Sequence, residues 1–300
     1  MLRSPTLPPY AKARAGLTPI APFGTYPMTR RQRLARAVMH ERLLGRGRLR
    51  RLAVSWFQHG PEIIDGLLFG YRVRFHPRDN QTDAKGAVCG ALYNRRELHW
   101  LRRILSPDAS FVDVGANMGF FSLYAAHCQT RRILAIEANP ILIQRFQETL
   151  SLNQPLPIWT LACAVGATSD TGTLVPRHHD LGSGQIAPLS TEATQTDNPA
   201  LIPIRPLKDL VVEAGFKQIT LMKLDIEGME YHVLDAFFRE ASSSLYPQHI
   251  ILERPTQKSA WSGLSMLLIQ SGLYHIAGRT RANLLLSRQK PSVIGQVSSF

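Results

Sequence analysis

The chain of 300 residues has few thiols and no long apolar run. Its three cysteines, Cys89, Cys128 and Cys163, are odd in number and form no CxxC pair. This excludes a disulfide framework, offers no zinc site, and fits free thiols in a reducing compartment. No stretch reaches the about 18 apolar residues that a membrane-spanning helix needs. The arginines near the start are not followed by a continuous apolar segment, so no secretory signal is expected. Acidic residues are nearly absent from the first sixth of the chain. Residues 1–51 carry 12 Lys/Arg against Glu41 alone, which places +11 of the total +13 there and leaves +2 on the rest. There is no internal repeat. With 44% hydrophobic and 19% charged residues, the composition excludes a collagen-like or wholly disordered chain.

The uneven charge predicts a basic, Pro/Arg-rich arm over residues 1–58 and a near-neutral domain over 59–300. Six prolines within residues 1–28 argue for an extended leader. From Thr29, a candidate N-cap, Leu34, Val38, Leu43 and Leu44 recur near helical spacing among arginines. They predict short basic amphipathic helices running to about Phe57. The arm has three readings: a solvated or partner-docking face, contact with anionic headgroups at a membrane surface, or contact with nucleic-acid phosphates. Little aromatic interleaving precedes Trp56, so stacking on single strands lacks support. An Arg-rich, acid-poor start also has the composition of an organelle transit peptide.

Past the arm, residues 67–76 read as a strand or hairpin. Leu98, Leu101, Ile104 and Leu105 give residues 93–105 an apolar helical stripe. Strand and helix then alternate. FVDVG, RILAIE, LACAV, ITLMKLD and HIILE read as strands. Residues 120–128, 140–153, 208–214, 229–239 and 260–270 read as helices. Residues 177–199, rich in Ser, Thr, Gly and His, read as a long loop. YHIAG and NLLLS read as a terminal antiparallel pair. Strands apolar on both faces, alternating with helices, predict an α/β fold with a mostly parallel sheet covered on both sides.

The most informative stretch is Phe111-Val112-Asp113-Val114-Gly115-Ala116-Asn117-Met118-Gly119-Phe120, a strand running through a glycine turn into a helix. Glycine lets the chain bend sharply and lets a ligand approach the backbone. Asn117 stands where a GxGxxG fingerprint has its second glycine, so the NAD motif fails. Glu137 ends the next strand, in IEANP, where a carboxylate at the crevice can accept bonds from both ribose hydroxyls. Asp113 beside the turn suits a cationic ligand such as S-adenosylmethionine.

The segments VDVGANMGFFSL, IEANP, ACAVG, LMKLDIEGMEYHVL and ILER, in that order, resemble the motifs of the FkbM-type methyltransferases. The resemblance covers about residues 97–254, more loosely to 287, and residues 1–60 have no counterpart in it. It implies a Rossmann-like seven-stranded sheet, S-adenosyl-L-methionine as cofactor, and methyl transfer, commonly to a hydroxyl of a sugar or natural product. By position, Asp113, Gly115, Ala116, Asn117 and Gly119 match the cofactor loop. Glu137, with Ala138 and Asn139, matches the ribose end, and Ala164 the adenine-side strand end.

A second acidic cluster, Lys223-Leu224-Asp225-Ile226-Glu227-Gly228-Met229-Glu230, lies at the end of a later strand. Methylation of a neutral hydroxyl needs a proton acceptor, or an acceptor that orients it. Asp225 is the first candidate. Glu227 is either a second base or a helix cap, and Glu230 reads as a cap. Two close carboxylates here can hold one proton between them. Lys223 alternates with Asp225 and reads as a salt-bridge partner. Glu253, in ILERP, either flanks the acceptor or pairs with Arg254. His179, beside His178 in the polar loop, is a base if that loop closes as a lid, and otherwise a solvated residue. Two adjacent histidines without a partner Cys or HxxxH spacing make no metal site, so no metal is expected.

The expectation is therefore a cytoplasmic S-adenosylmethionine-dependent O-methyltransferase for a small molecule or glycan. The alternatives are an RNA methyltransferase that uses the arm, or a binding module on the same fold.

Overall fold

A computed structural model of the chain describes residues 20–40, 47–175, 180–188, 200–226, 228–254 and 258–289. His179 and Glu227, both named above as base candidates, and the leader before residue 20 lie outside the described residues.

The first elements fall in the segment read as an arm. Helix α1 (Arg30–His40) begins at a reciprocal cap. Thr29 Oγ1 accepts the Gln32 N–H at 3.2 Å, and Gln32 Oε1 accepts the Thr29 N–H at 3.0 Å. Helix α2 (Arg48–Gln58) follows. Ala35 and Met39 of α1 and Ala53 and Phe57 of α2 sit in the same core as Phe75, Val88 and Phe120. The chain ahead of them is tied down through Arg74, which is 3% exposed. Its guanidinium lies 2.9 Å from Asp65 and 2.5 Å from Glu148, donates to the Ala21 carbonyl at 3.0 Å, and lies over the Tyr26 ring at 4.7 Å. The expected division at residue 58 is thus not how the described residues pack. Residues 21–40 and 47–58 share their core with the domain.

Strands β1 (Ile64–Leu68) and β2 (Tyr71–Phe75) form the antiparallel hairpin expected over residues 67–76. Phe69 (φ 54°) and Gly70 (φ 91°) make its two-residue turn, the left-handed pair that matches strand twist. Next come α3 (Gln81–Cys89), capped by Asn80, and α4 (Arg95–Ile104).

The repeating unit then starts: β3 (Ser110–Val114), α5 (Phe120–His127), β4 (Arg132–Glu137), α6 (Pro140–Ser151) and β5 (Ile158–Ala162). A four-stranded second sheet follows, of β6 (Ala164–Gly166), β7 (Asp170–Val175), β8 (Gln185–Pro188) and β9 (Leu201–Pro206), in the order β6-β9-β7-β8. The long loop expected over 177–199 is interrupted by β8. The strand propensity was hidden by Gly, Thr and Pro, and the strands pack closely at Gly172, where a Cβ would lie 2.7 Å from Ile186. The main sheet resumes with α7 (Leu207–Glu213), β10 (Leu221–Leu224), α8 (Glu230–Glu240), β11 (His249–Glu253), α9 (Lys258–Ser265), β12 (Tyr274–Arg279) and β13 (Asn283–Arg288).

The seven-stranded sheet has the order β12-β13-β11-β10-β3-β4-β5, parallel except for the terminal hairpin. Alternate residues feed two cores. Phe111, Ile133, Leu221 and Ile251 face one side, and Val112, Leu134, Met222 and Ile250 the other. Both faces are covered, which is why these strands read as unbroken apolar runs. Chain order reverses between β3 and β10, since β3 leads outward to β4 and β5 and the chain then returns to β10. A crevice at the carboxyl ends of β3 and β10 is the ligand position in such sheets.

Candidate active site

The turn after β3 meets the end of β10 at very close range. Gly115 has φ +74°, and a Cβ there would lie 2.0 Å from the Asp225 carbonyl oxygen. Asp225 N–H in turn donates to the Val114 carbonyl at 3.2 Å. The Gly115 and Ala116 N–H groups both donate to Ile136 of β4 at 3.0 Å. At Gly119, φ +83°, a Cβ would fall 2.1 Å from the Phe146 ring. Both glycines are therefore required by conformation and by contact.

Glu137 closes this turn from β4. One carboxylate oxygen accepts the Asn117 N–H at 2.7 Å, the other the Asn139 N–H at 2.8 Å. Burial pushes its carboxyl above the usual range, while those two N–H groups and Lys223 resist the shift. Each oxygen keeps a second lone pair, so the residue can still accept two hydroxyls. Asn139 caps α6 through the Ile141 N–H at 3.0 Å, and Ala138 between them is half-buried. Ala164 departs from expectation. The strand alongside Glu137 ends at Ala162, which pairs with it, and Ala164 already belongs to the second sheet, paired with Ile204. The chain leaves the main sheet at buried Cys163 to register with β9.

A strap formed by residues 180–183 crosses the turn. Leu181 accepts from Asn139 Nδ2 at 3.0 Å and donates its N–H to Asp79 at 2.8 Å. Asp180 accepts the Gln81 N–H at 3.1 Å. Gly182 packs so closely on Asn117 that a Cβ would lie 2.3 Å from its amide nitrogen. Asn117 Oδ1 also accepts from Asn80 at 2.6 Å. The strap belongs to the polar loop read from the sequence as a lid, whereas Asn80 escaped that reading. The only signal was Asn80 at a helix cap.

The acidic residues separate by exposure. Asp113 is fully buried, with one oxygen on Ser122 Oγ at 2.7 Å. The other has no hydrogen-bond partner and lies 3.9 Å from Lys223 Nζ. Burial pushes its carboxyl up, and the ammonium opposes that. The Lys223 side chain is 4% exposed, bonds Asp225 at 3.0 Å and lies 5.1 Å over the Phe121 ring. Burial works against its charge, but Asp225, Asp113 and Glu253 outweigh burial and hold it above the usual lysine range. The Asp225 side chain is 40% exposed and is the member of this cluster that faces the crevice. Burial opposes its ionisation, yet Lys223 and a side-chain hydrogen bond with Glu253 win and hold it below the usual carboxylate range. The register of β10 and β11 sets the two carboxyl groups side by side at neighbouring strand ends. The partner of Asp225 is thus Glu253 from β11. Glu230 ties the turn before α8, accepting the Ile226 N–H at 3.1 Å and the Gly228 N–H at 3.3 Å.

These residues fit S-adenosylmethionine. Glu137 keeps acceptor capacity for a ribose, the Gly115–Gly119 turn presents backbone without side chains, and the local carboxylates suit a cation. Among the described residues, no group of three His, Cys, Asp or Glu is placed to hold a metal ion. No described helix is long and apolar enough to cross a membrane.

The methyltransferase FkbM domain model matches residues 113–263. Methyltransferase 1 of Beauveria bassiana is 27% identical over 146 residues, covering 43% of this chain and 58% of its own length. Methyltransferase sdnD of Sordaria araneosa is 29% identical over 159 residues, covering 43% and 61%. The chain thus spans about three-fifths of these curated relatives. Among solved structures, Pyrococcus abyssi tRNA (uracil-54, C5)-methyltransferase with S-adenosyl-L-homocysteine aligns at 12% identity and TM-score 0.43, covering 76% of this chain and 44% of that one. M. jannaschii TYW2 with AdoMet aligns at 11% and 0.41, covering 77% and 88%.

Proposed function

Since the chain belongs to the FkbM methyltransferase family, a class dependent on S-adenosylmethionine, we propose that it O-methylates a hydroxyl of a sugar or natural-product small molecule. The observation that carries this reading is Asp225, part-exposed at the switch point of the sheet and held by Lys223 at 3.0 Å. Bound S-adenosylmethionine supplies an electrophilic methyl group on a sulfonium.

The chain's own residues do the rest. The Gly115–Gly119 turn and Glu137 orient the adenosyl end. Lys223 keeps Asp225 ionised, so its outward oxygen can accept the acceptor hydroxyl's hydrogen bond and hold that oxygen in line. Glu253, which holds the proton of that contact, donates to one oxygen of Asp225 and leaves the other to take the departing proton. The 180–183 strap covers the cofactor turn and excludes water.

The test is titration of the full chain with S-adenosylhomocysteine, then incubation with methyl-labelled cofactor and fractionated small molecules, with products identified by mass spectrometry. A labelled ether is expected. Label only in nitrogen, carbon or RNA products overturns the proposed acceptor.

A further inference from the structure

Helix α2 turns one face toward α3. Arg50, Arg51, Val54 and Gln58 recur at helical spacing on that face, and Gln81 and Lys85 answer them one turn apart on α3. These six residues line a cleft of about 460 Å³. Among the described residues, no carboxylate lies within 4 Å of Arg50, Arg51 or Lys85, which appear in none of the ion pairs. Arg50 and Lys85 also approach one another through Tyr93, each 5.8 Å from its ring centroid. Burial and the Arg50 charge pull the Lys85 ammonium down, and the charge of Asp180, on the strap, resists. Like charges gathered in a cleft cost free energy that an anion would remove.

The cleft adjoins the site already described. Tyr93 packs on Phe120, the first residue after the glycine turn, with ring centroids 5.0 Å apart, and its hydroxyl feels the charges of Asp225 and Lys223. Gln81 holds the strap through Asp180.

On the reading that this is a methyl-transfer site, we infer that the α2–α3 cleft seats a phosphoryl group carried by the acceptor. Arg50, Arg51 and Lys85 would hold it, and Tyr93, which Arg50 and Lys85 both approach, links it to Phe120 at the end of the glycine turn. The arginine forks match phosphate oxygens, and three cations suit the two or more charges of a phosphate ester or diphosphate better than one carboxylate. The substrate class is therefore a phosphorylated small molecule or sugar.

The experiment titrates inorganic pyrophosphate, glucuronate and S-adenosylhomocysteine separately into the full chain by calorimetry. The wild type is compared with Arg50→Gln, Arg51→Gln, Lys85→Gln and, as a control at an exposed position of α1, Arg31→Gln, each checked by thermal melting. Pyrophosphate should bind saturably, one per chain. Its affinity should fall at least ~10-fold in the cleft variants and less than about twofold in Arg31→Gln. Arg51 is exposed, so that variant reports even if the others unfold. No saturable pyrophosphate binding, tighter binding of glucuronate, or an equal loss in Arg31→Gln overturns the inference. S-adenosylhomocysteine binding in the same preparations then leaves the methyltransferase reading standing. Its absence from the wild type would instead overturn that reading, and with it the acceptor role of the cleft.

Discussion

Gly115 and the carbonyl of Asp225 are in contact across the switch point: a single Cβ on the glycine would sit 2.0 Å from that oxygen. The glycine turn after β3 and the end of β10 are thus one object. Gly115→Ala should therefore damage both. The left-handed backbone alone costs about 1–2 kcal/mol with a side chain, and the clash adds to it. A lowered Tm together with lost S-adenosylhomocysteine binding is expected. An unchanged melt with full binding would contradict the contact.

Glu137→Ala removes an acceptor that serves the turn and, in the proposed function, the ribose. Loss of two charge-assisted hydrogen bonds, at about 1.5 kcal/mol each, predicts a cofactor affinity lower by at least ~100-fold. Calorimetric titration of a variant that melts normally measures this. A change under about threefold would remove Glu137 from the ribose position.

Lys223 is the cation shared by Asp113 and Asp225. Lys223→Met should destabilise the fold by about 3–5 kcal/mol, because Asp113 is left as an uncompensated buried charge. Adding Asp113→Asn should recover part of that loss, since Asn can still accept from Ser122. Urea melts of the two single variants and the double variant form the cycle. Strict additivity would show that the two residues are not coupled.

Asp83, beneath Asn80, is buried, and burial lifts its carboxyl to about 7 from 3.8. Between those values the folded chain holds a proton that the unfolded chain has released. This contribution to stability is fully present below 3.8 and is lost as pH rises to about 7. Asp83→Asn should melt higher than the wild type at pH 8, with the gap closing toward pH 4. Neighbouring His76, held down to about 4 by burial and Arg145, moves stability the other way over 4–6.5 in both proteins and cancels in the comparison. A gap independent of pH would refute the raised carboxyl.

Gly182→Val should push the strap off Asn117. Loss of the Asn139–Leu181 hydrogen bond, worth about 1–1.5 kcal/mol, predicts cofactor release about tenfold faster by stopped flow, with little change in Tm. Unaltered release would show that the strap does not gate the turn.

What could be read in advance was local. The glycine turn, Glu137 and Asp225 each announce themselves within one strand and its following turn, where backbone conformation and residue type go together. What could not be read depends on distant partners. Asn80 and Asn117 are 37 positions apart, and Glu253 reaches Asp225 only because β10 and β11 are adjacent. The same reason explains the divided reading of the basic segment. Charge composition marks residues 1–51 as different, whereas Phe57 and Met39 show their allegiance only when Phe75 and Val88 are folded beside them. Most of the second sheet was missed because Gly172, Pro188, Pro203 and Pro206 interrupt the apolar pattern of β7, β8 and β9.

The clamp around Arg74 sets where the polypeptide can be cut. The FkbM domain match begins at residue 113, yet the buried guanidinium reaches back to Ala21 and across to Glu148. A fragment starting at residue 59 would lose the cover over Phe75, expose apolar core surface and leave Arg74 without the Ala21 and Pro22 carbonyls that accept its hydrogen bonds. A usable expression boundary therefore falls near residue 20, almost a hundred residues upstream of the first recognisable motif.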